Sequence, residues 1–404
     1  MRIRLLELLA CPHCGETLAV DAWEKNIRDS KIVAPEFALC SSHCARFQRP
    51  PSEVAPSSCV TCVQEEITEG FLSCANRHVF PLIGGIPRLL SEPLCRESLG
   101  DRYTAFLTRF ATAPQRGNAK LESVESEHVK RLATSKAFGY QWTTFTENYQ
   151  YFRSIFESFV RPYLLPENFR GKLVLEVGCG SGRPATVAAG FGAEVVAVDL
   201  SIAVEAAYAM SQKIDGLHVV QGDAYQLPVK PMFDFVYSVG VLQHILDPAA
   251  ALSGMARVLR PGQHLVLWVY GIREAWYQPI EWLRKLTTRM PFWMVRSLSH
   301  VLALLSELFL LIPYRILKLI PATSNFAESI PGRIYARLPY RENVLGWFDR
   351  LIAPVTYYFS EADLRRLLSA AGFEDVNLYA RPDASASWVV DCVRAKASTQ
   401  PGSP

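Results

Sequence analysis

The string Leu173-Val-Leu-Glu-Val-Gly-Cys-Gly-Ser-Gly-Arg183 sets three alternating glycines, Gly178, Gly180 and Gly182, directly behind an apolar run. Residues without side chains let the backbone turn sharply and let a ligand rest on main-chain N–H groups at the mouth of a helix. Such a loop alone can be an ordinary strand–helix turn, so its neighbours decide. Arg183 stands where a dinucleotide fingerprint needs its third glycine. The next apolar run, Val195-Val-Ala-Val-Asp199, ends in a carboxylate able to accept both hydroxyls of a ribose. A third ends in Val220-Gln-Gly-Asp-Ala224, with a second carboxylate, Asp223, and a small residue, Ala224, that could flank a flat base.

A second constellation lies upstream. Eight of the ten cysteines fall in the first 95 residues. Cys11-Pro-His-Cys14 and Cys74-Ala-Asn-Arg-His78 provide two thiolates on one tight turn and a thiolate with an imidazole on another, an S₃N set that Zn²⁺ accepts. Between them, Cys40-Ser-Ser-His-Cys44 and Cys59-Val-Thr-Cys62 offer a second set, Cys40, Cys44, Cys59 and Cys62, against the alternative of a loop carrying reduced thiols. With no open coordination position, either zinc would be structural. Met1-Arg-Ile-Arg-Leu-Leu-Glu7 lacks a long apolar core and a small-residue cleavage site, so the expectation is a reducing, cytoplasmic setting in which clustered cysteines favour metal over disulfide.

Elements must position these groups. Short β-branched runs over 172–177, 194–199, 217–221, 233–239 and 264–270 alternate with helical stretches at 202–213 and 248–259, the pattern of a parallel sheet. A helix near 361–371 and strands over 373–380 and 388–395 follow, the last two separated by too short a loop for a crossover and so antiparallel. The expected fold is α/β, a doubly wound seven-stranded Rossmann-like sheet over 171–271 and 360–397. A zinc ribbon over 1–92, a helical lead-in over 93–170 and an apolar helical insert over 272–359 complete it. A hydrophobic fraction of 50% with 20% charged residues excludes a mainly disordered chain, and a net charge of +3 is too weak to argue for nucleic acid.

The glycine loop, Asp199, Gly222-Asp-Ala, Phe233-Asp-Phe-Val-Tyr-Ser-Val-Gly-Val-Leu-Gln-His244 and Ala256-Arg-Val-Leu-Arg-Pro-Gly262 together resemble the class I S-adenosylmethionine-dependent methyltransferases acting on small molecules. The terminal hairpin, which a nicotinamide Rossmann domain lacks, matches that fold. The resemblance implies that Glu176, Gly178, Gly180 and Gly182 line the methionine side of S-adenosylmethionine. Asp199 would hold the ribose, Asp223 and Ala224 would flank the adenine, and Ser238 would lie beneath it. His244 is the candidate general base, with a packed or helix-capping histidine as its alternative. Tyr140 and Trp142 match an aromatic lead-in that covers the cofactor, or are core. The loop after the fourth strand lacks the Asn/Asp-Pro-Pro-aromatic string of amino-methylating enzymes. The Cys-rich segment resembles both the zinc ribbon of bacterial rRNA guanine methyltransferases and the zinc-ribbon activator of eukaryotic methyltransferases, whose Ile-Pro-x-Leu-Leu ending recurs as Ile86–Leu90.

The insert carries the nearly all-apolar string 298–314, interrupted by Glu307 and Pro313 and followed by Arg315 and Lys318, with Ser299/His300 and Ser306/Glu307 as a narrow polar stripe. Three readings stand: a lid over an apolar acceptor, a helix in a membrane interface (peripheral contact through 276–320), and a dimer contact. The expected activity is methyl transfer to a small or lipid-like metabolite. The alternative is an RNA methyltransferase whose ribbon presents the nucleic acid, against which the weak charge and the apolar insert weigh.

Overall fold

The computed structural model describes residues 1–27, 44, 46–47, 49–110, 125–146, 151–272, 277–330, 333–381 and 386–396. The cysteine-rich segment opens with α1 (Ile3–Leu8) and β1 (Leu18–Ile27), then α2 (Ser58–Gln64), β2 (Glu65–Cys74), β3 (Val79–Ile83) and β4 (Ile86–Leu89). Helices α3 (Glu92–Leu99), α4 (Asp101–Arg109), α5 (Glu125–Thr144) and α6 (Phe152–Val160) lead into β5 (Leu173–Val177). Alternation follows: α7 (Arg183–Gly190), β6 (Glu194–Asp199), α8 (Val204–Ser211), β7 (Leu217–Gly222), β8 (Phe233–Val239), α9 (Pro248–Val258) and β9 (Leu259–Tyr270). The insert holds α10 (Gln278–Thr287), α11 (Phe292–Ser306), α12 (Ile312–Leu319), α13 (Ser324–Ala327) and α14 (Tyr340–Ile352), before α15 (Glu361–Ala370), β10 (Phe373–Ala380) and β11 (Ser387–Arg394).

All strands join one sheet, ordered β1-β2-β3-β4-β7-β6-β5-β8-β9-β11-β10. Seven of them, from β7 to β10, form the expected doubly wound core. β7, β6, β5, β8 and β9 pair parallel, and β11 runs antiparallel between β9 and β10. Alternate residues serve opposite faces, as the two-residue strand period requires. Leu175, Val177, Val196 and Val198 pack on one side, while Val174, Val195, Ala197 and Val219 pack on the other. Burial on both faces explains the near-continuous Val/Leu runs. Two caps set the helix starts: the Asp247 carboxylate accepts from the Ala249 and Ala250 N–H groups, and Ser360 with Asp363 forms a reciprocal box before α15.

The cysteine-rich segment does not stand apart. β4 adds in parallel to β7 through Arg88↔Gln221 and Leu89↔Gly222, so strands β1 to β4 extend the core sheet. Leu5, Leu8 and Leu9 share one apolar cluster with Val229, Phe233 and Leu252 of the core. The Arg88 guanidinium, fully buried, bonds the Gln221 side chain at 3.0 Å and pairs with Glu205 of α8. Arg2 donates to the Ser211 and Ile214 carbonyls at 2.7 and 2.8 Å, and Arg4 bonds Glu194 at 2.9 Å.

Candidate active site

A cavity of about 770 Å³ opens at the carboxyl ends of the parallel strands, where ligands bind in open α/β sheets. Gly178 and Gly180 form its floor after β5, and Asp199, Asp223, Ala224 and His244 line it from the following strand ends. The loop is held open by Asp199. Its Oδ2 accepts from the Gly180 N–H at 2.8 Å, and its Oδ1 accepts from the Ser201 N–H and Oγ–H at 2.8 and 2.7 Å. Burial raises the Asp199 carboxyl above its ordinary range, and these donors pull it back. Gly178 and Gly180 adopt φ of +80° and +51°. An added Cβ at Gly178 would fall 2.3 Å from Val241, and at Gly180 2.9 Å from the Trp142 ring. Only glycine fits this cradle.

Several expected residues lie elsewhere. Glu176 is 1% exposed, behind the cavity wall: its Oε2 accepts from the Tyr237 hydroxyl at 3.0 Å, and the Ala185 N–H at the start of α7 also donates to it. Burial, foremost, pushes its carboxyl up to about 8. Gly182 caps α7 and packs against Ala207 instead of lining the cavity. Ser238 is buried, with Oγ donating to the Val177 carbonyl at 2.7 Å. Tyr140 stacks in the insert's aromatic cluster, 4.9 Å from Phe292 and 5.8 Å from Phe348. At 3.6 residues per turn, Phe138 and Trp142 share a face of α5 that Tyr140 does not, and those two line the cavity.

Asp223 is already engaged: its Oδ1 accepts from the Tyr225 N–H at 3.0 Å and its Oδ2 pairs with Arg131 of α5, whose guanidinium lies 4.5 Å from the Tyr225 ring centroid. Arg183, which replaces the third glycine, pairs with Glu342 of α14 at 3.2 Å, both buried. Gln141 of α5 bonds Asp349 of α14 at 2.8 Å. Lead-in helix and insert thus close over the glycine loop together. These partners, up to 208 residues apart in sequence, have no local pattern that could reveal them.

His244 is 6% exposed at the cavity wall, with Tyr270 packed edge-on at 5.5 Å. Its Nδ1 lies 2.9 Å from the Val355 carbonyl. A carbonyl only accepts, so Nδ1 carries the proton and Nε2 keeps its lone pair. Burial, chiefly, lowers its pKa, keeping the ring neutral. It can therefore accept a proton.

Comparison with known proteins agrees. Residues 175–267 match the family described as "Methyltransferase domain". The ubiquinone biosynthesis O-methyltransferase of Thiobacillus denitrificans is 36% identical over 97 residues, 23% of this chain and 41% of that protein. The tRNA U34 carboxymethyltransferase of Pseudoalteromonas translucida is 36% identical over 110 residues, 26% of this chain and 34% of that protein. The magnesium protoporphyrin IX methyltransferase of Synechocystis superposes with a TM-score of 0.40 at 18% identity, covering 67% of this chain and all of that one. The chain spans about two fifths of the length of the curated relatives it matches. Residues 175–267 thus match a methyltransferase domain, in keeping with the class I S-adenosylmethionine-dependent likeness of the sequence.

The residues present fit S-adenosylmethionine: a glycine floor without Cβ atoms, Asp199 at the neighbouring strand end, and Asp223 with Ala224 at the next. The metal set also assembles. Sγ of Cys11, Cys14 and Cys74 and Nδ1 of His78 all lie within 4.8 Å of one another, the only such Cys/His/acid group among the described residues. The Cys14–Cys74 edge is 3.7 Å and the three S–N edges are 3.3 to 3.6 Å. A tetrahedron with Zn–S near 2.3 Å and Zn–N near 2.0–2.1 Å has edges of about 3.8 and 3.6 Å, so the set fits zinc. Of the second set, Cys40 lies outside the described residues. Cys44, Cys59 and Cys62 are buried, and burial, with Cys44 adding to it, pushes the Cys62 thiol to about 11.

Proposed function

We propose that this protein transfers the methyl group of S-adenosylmethionine to an oxygen of a small, largely apolar metabolite. One observation carries the reading: Gly178 and Asp199 share a single cavity with Leu311, Tyr314 and Trp347 of the insert. The space beyond the glycine loop is walled by an element that interrupts the common core, through apolar and aromatic side chains with charged ones, Arg333, Arg337, Asp349 and Arg350, among them. The cofactor supplies a sulfonium methyl, already an activated electrophile. What remains for the chain is to align the acceptor, exclude water and take a proton. The paired α5 and α14 exclude water, and His244 Nε2 accepts the hydroxyl proton. The O-methylating activity named for the Thiobacillus relative supports an oxygen acceptor. Arg350, whose Nη2 lies 3.3 Å from the Tyr335 hydroxyl and whose ring neighbours include Trp347, lines the same cavity with no carboxylate in ion-pair range among the described residues. It suits an acidic or carbonyl group on the acceptor.

The test is transfer of tritiated methyl from labelled cofactor into a cell extract, with products partitioned between lipid, small-molecule and RNA fractions. Label in the organic or small-molecule fraction, lost in a His244→Asn variant, supports the proposal. Label confined to RNA would replace it with nucleic-acid methylation.

A further inference from the structure

The segment Phe292–Leu319 is one continuous helical rod of 28 residues, α11 and α12 joined through a π-turn at Glu307–Leu311, apolar enough by length and composition to cross a membrane. Its orientation is inverted relative to a soluble amphipathic helix. The face against the protein, with Val295, Leu311 and Tyr314 buried toward its ends, carries Ser299 (0% exposed), Ala303 and Ser306 (8%) at its centre. They admit close contact with α14, where Asn343 Nδ2 donates to the Ala303 carbonyl at 3.1 Å and Trp347 Nε1 to Ser306 Oγ at 2.8 Å. The outward face carries Leu304, Leu305, Leu308, Phe309 (70%) and Leu319 (83%), all exposed. Trp282 (74%) on α10 and Trp293 (65%) at the start of α11 are exposed as well. An unpartnered surface of this extent marks a contact site.

Charge selects the occupant. Residues 277–345 hold nine Lys and Arg against four Glu, a net of +5, while the whole chain carries only +3. The basic residues bracket the apolar stretch: Lys285, Arg289 and Arg296 before it, Arg315 and Lys318 after it. A large apolar stripe with exposed Trp and flanking cations is the composition of a helix lying in an anionic bilayer interface. A rod of about 42 Å with one face packed along α14 cannot be surrounded by lipid, so it lies in the plane rather than spanning.

We infer that the insert docks the enzyme on an anionic lipid surface, with the α11–α12 rod buried at the headgroup boundary. Leu310, Leu311 and Tyr314 of this rod also line the cavity. If the methyl-transfer reading holds, an acceptor dissolved in the bilayer would reach the site through this wall.

The experiment is co-sedimentation of the full chain with vesicles of phosphatidylcholine containing 0 or roughly one third phosphatidylglycerol, at low and high salt. The comparison is a Leu305→Glu/Phe309→Glu variant, neither residue lining the cavity. Expected are binding that rises at least tenfold with phosphatidylglycerol, falls with salt, and drops roughly a hundredfold in the variant. Unchanged melting temperature and S-adenosylhomocysteine affinity would show the variant folded. Should the wild type fail to sediment, bind indifferently to phosphatidylglycerol, or form a dimer in light scattering that the same variant dissociates, the inference is overturned. None of these readouts uses catalysis, so they stand or fall apart from the methyl-transfer proposal.

Discussion

Asp199 offers the sharpest test of the cofactor site because its structural and ligand-binding roles can be separated. Its carboxylate accepts three hydrogen bonds from the protein, from the Gly180 N–H and from both donors of Ser201. In Asp199→Ala all three donors lose their partner. At about 1 kcal/mol or more per orphaned donor, partly relieved by water entering the space, the fold should lose roughly 2 kcal/mol. Asp199→Asn keeps one acceptor oxygen and nearly the same volume, so it isolates the charge. A ribose held by two bonds to a carboxylate draws about 1.5–3 kcal/mol from each. Replacing the charge and one acceptor should cost about 3 kcal/mol, or roughly a hundredfold in affinity.

The assay is isothermal calorimetry with S-adenosylhomocysteine and its 2′-deoxy analogue, alongside thermal melts. Wild type should bind the deoxy ligand far more weakly than the ribose form. Asp199→Asn should bind both with similar, weak affinity while losing less stability than Asp199→Ala, because its amide oxygen still serves one side of the loop although its NH2 meets a donor on the other. If Asp199→Asn binds S-adenosylhomocysteine within threefold of wild type, or still discriminates the 2′-hydroxyl, the carboxylate serves only to brace the loop and the cofactor assignment of this strand end is wrong.

Three further outcomes follow from the geometry. His244→Asn should lower kcat by about 10²–10⁴ with little change in S-adenosylhomocysteine affinity. Because burial lowers the His244 pKa, wild-type kcat should stay flat through neutrality and fall only below the ordinary histidine range, an acid limb the variant lacks; a variant retaining that limb would acquit His244. Burial holds the Glu176 carboxyl at about 8, above its ordinary unfolded value near 4.3, so the folded state is penalised as pH rises from there to about 8 and the penalty is constant above. At pH 7 it amounts to about 3 kcal/mol by linkage, and Glu176→Gln should flatten the decline in stability between pH 5 and 8, whereas parallel urea-melt profiles would refute it. Elemental analysis should find zinc bound by Cys11, Cys14, Cys74 and His78, lost in Cys74→Ser, and chelation should lower the melting temperature by on the order of 10 °C. Cys11 follows the Leu9–Val229 bridge and the Ala10 N–H donation to the Pro228 carbonyl, so metal removal should also loosen the segment after Asp223 and weaken S-adenosylhomocysteine binding; unchanged affinity in the metal-free protein would sever that link.

What the sequence disclosed was local. The β-branched runs located β6 and β8 to the residue, because a strand buried on both faces has few polar positions to blur its ends. Cys11, Cys14, Cys74 and His78 were legible as a set because metal ligation imposes spacing on each knuckle separately, and the β2–β3 turn joins them. The phase of α5 was not legible. Without a fixed helix start, Tyr140 and Trp142 were equivalent candidates, and only packing sends one ring to the insert and the other to the cavity. Glu176 sits beside the glycines in sequence, yet its neighbour across β8 is Tyr237, whose hydroxyl draws the carboxylate away from the ligand side. The β4–β7 pairing was equally hidden, since a four-residue strand with a proline looks like the end of a module rather than a graft onto a sheet.

The insert shows why composition alone stops short. An all-apolar string with two serines a heptad apart fits a buried lid, a membrane helix or a dimer seam equally well, because each needs one narrow stripe and one broad face. The direction of the stripe leaves Leu304, Leu305 and Leu308 open to a membrane or a second copy, while Leu310, Leu311 and Tyr314 wall the cavity. In a lid the broad face turns inward and the serines see water. Here Ser299 and Ser306 are buried alongside Val295, Ala303, Leu311 and Tyr314, the serines satisfied by their own helix carbonyls at 2.8 Å, while Leu304, Leu305 and Leu308 face out. Small side chains bring α11 close to α14, and α14 in turn carries Glu342 to Arg183 and Asp349 to Gln141. The same stripe that leaves the broad face uncovered therefore also fixes the roof of the cavity, through the buried Arg183–Glu342 pair beside the glycine loop and the partly buried Gln141–Asp349 bond to α5.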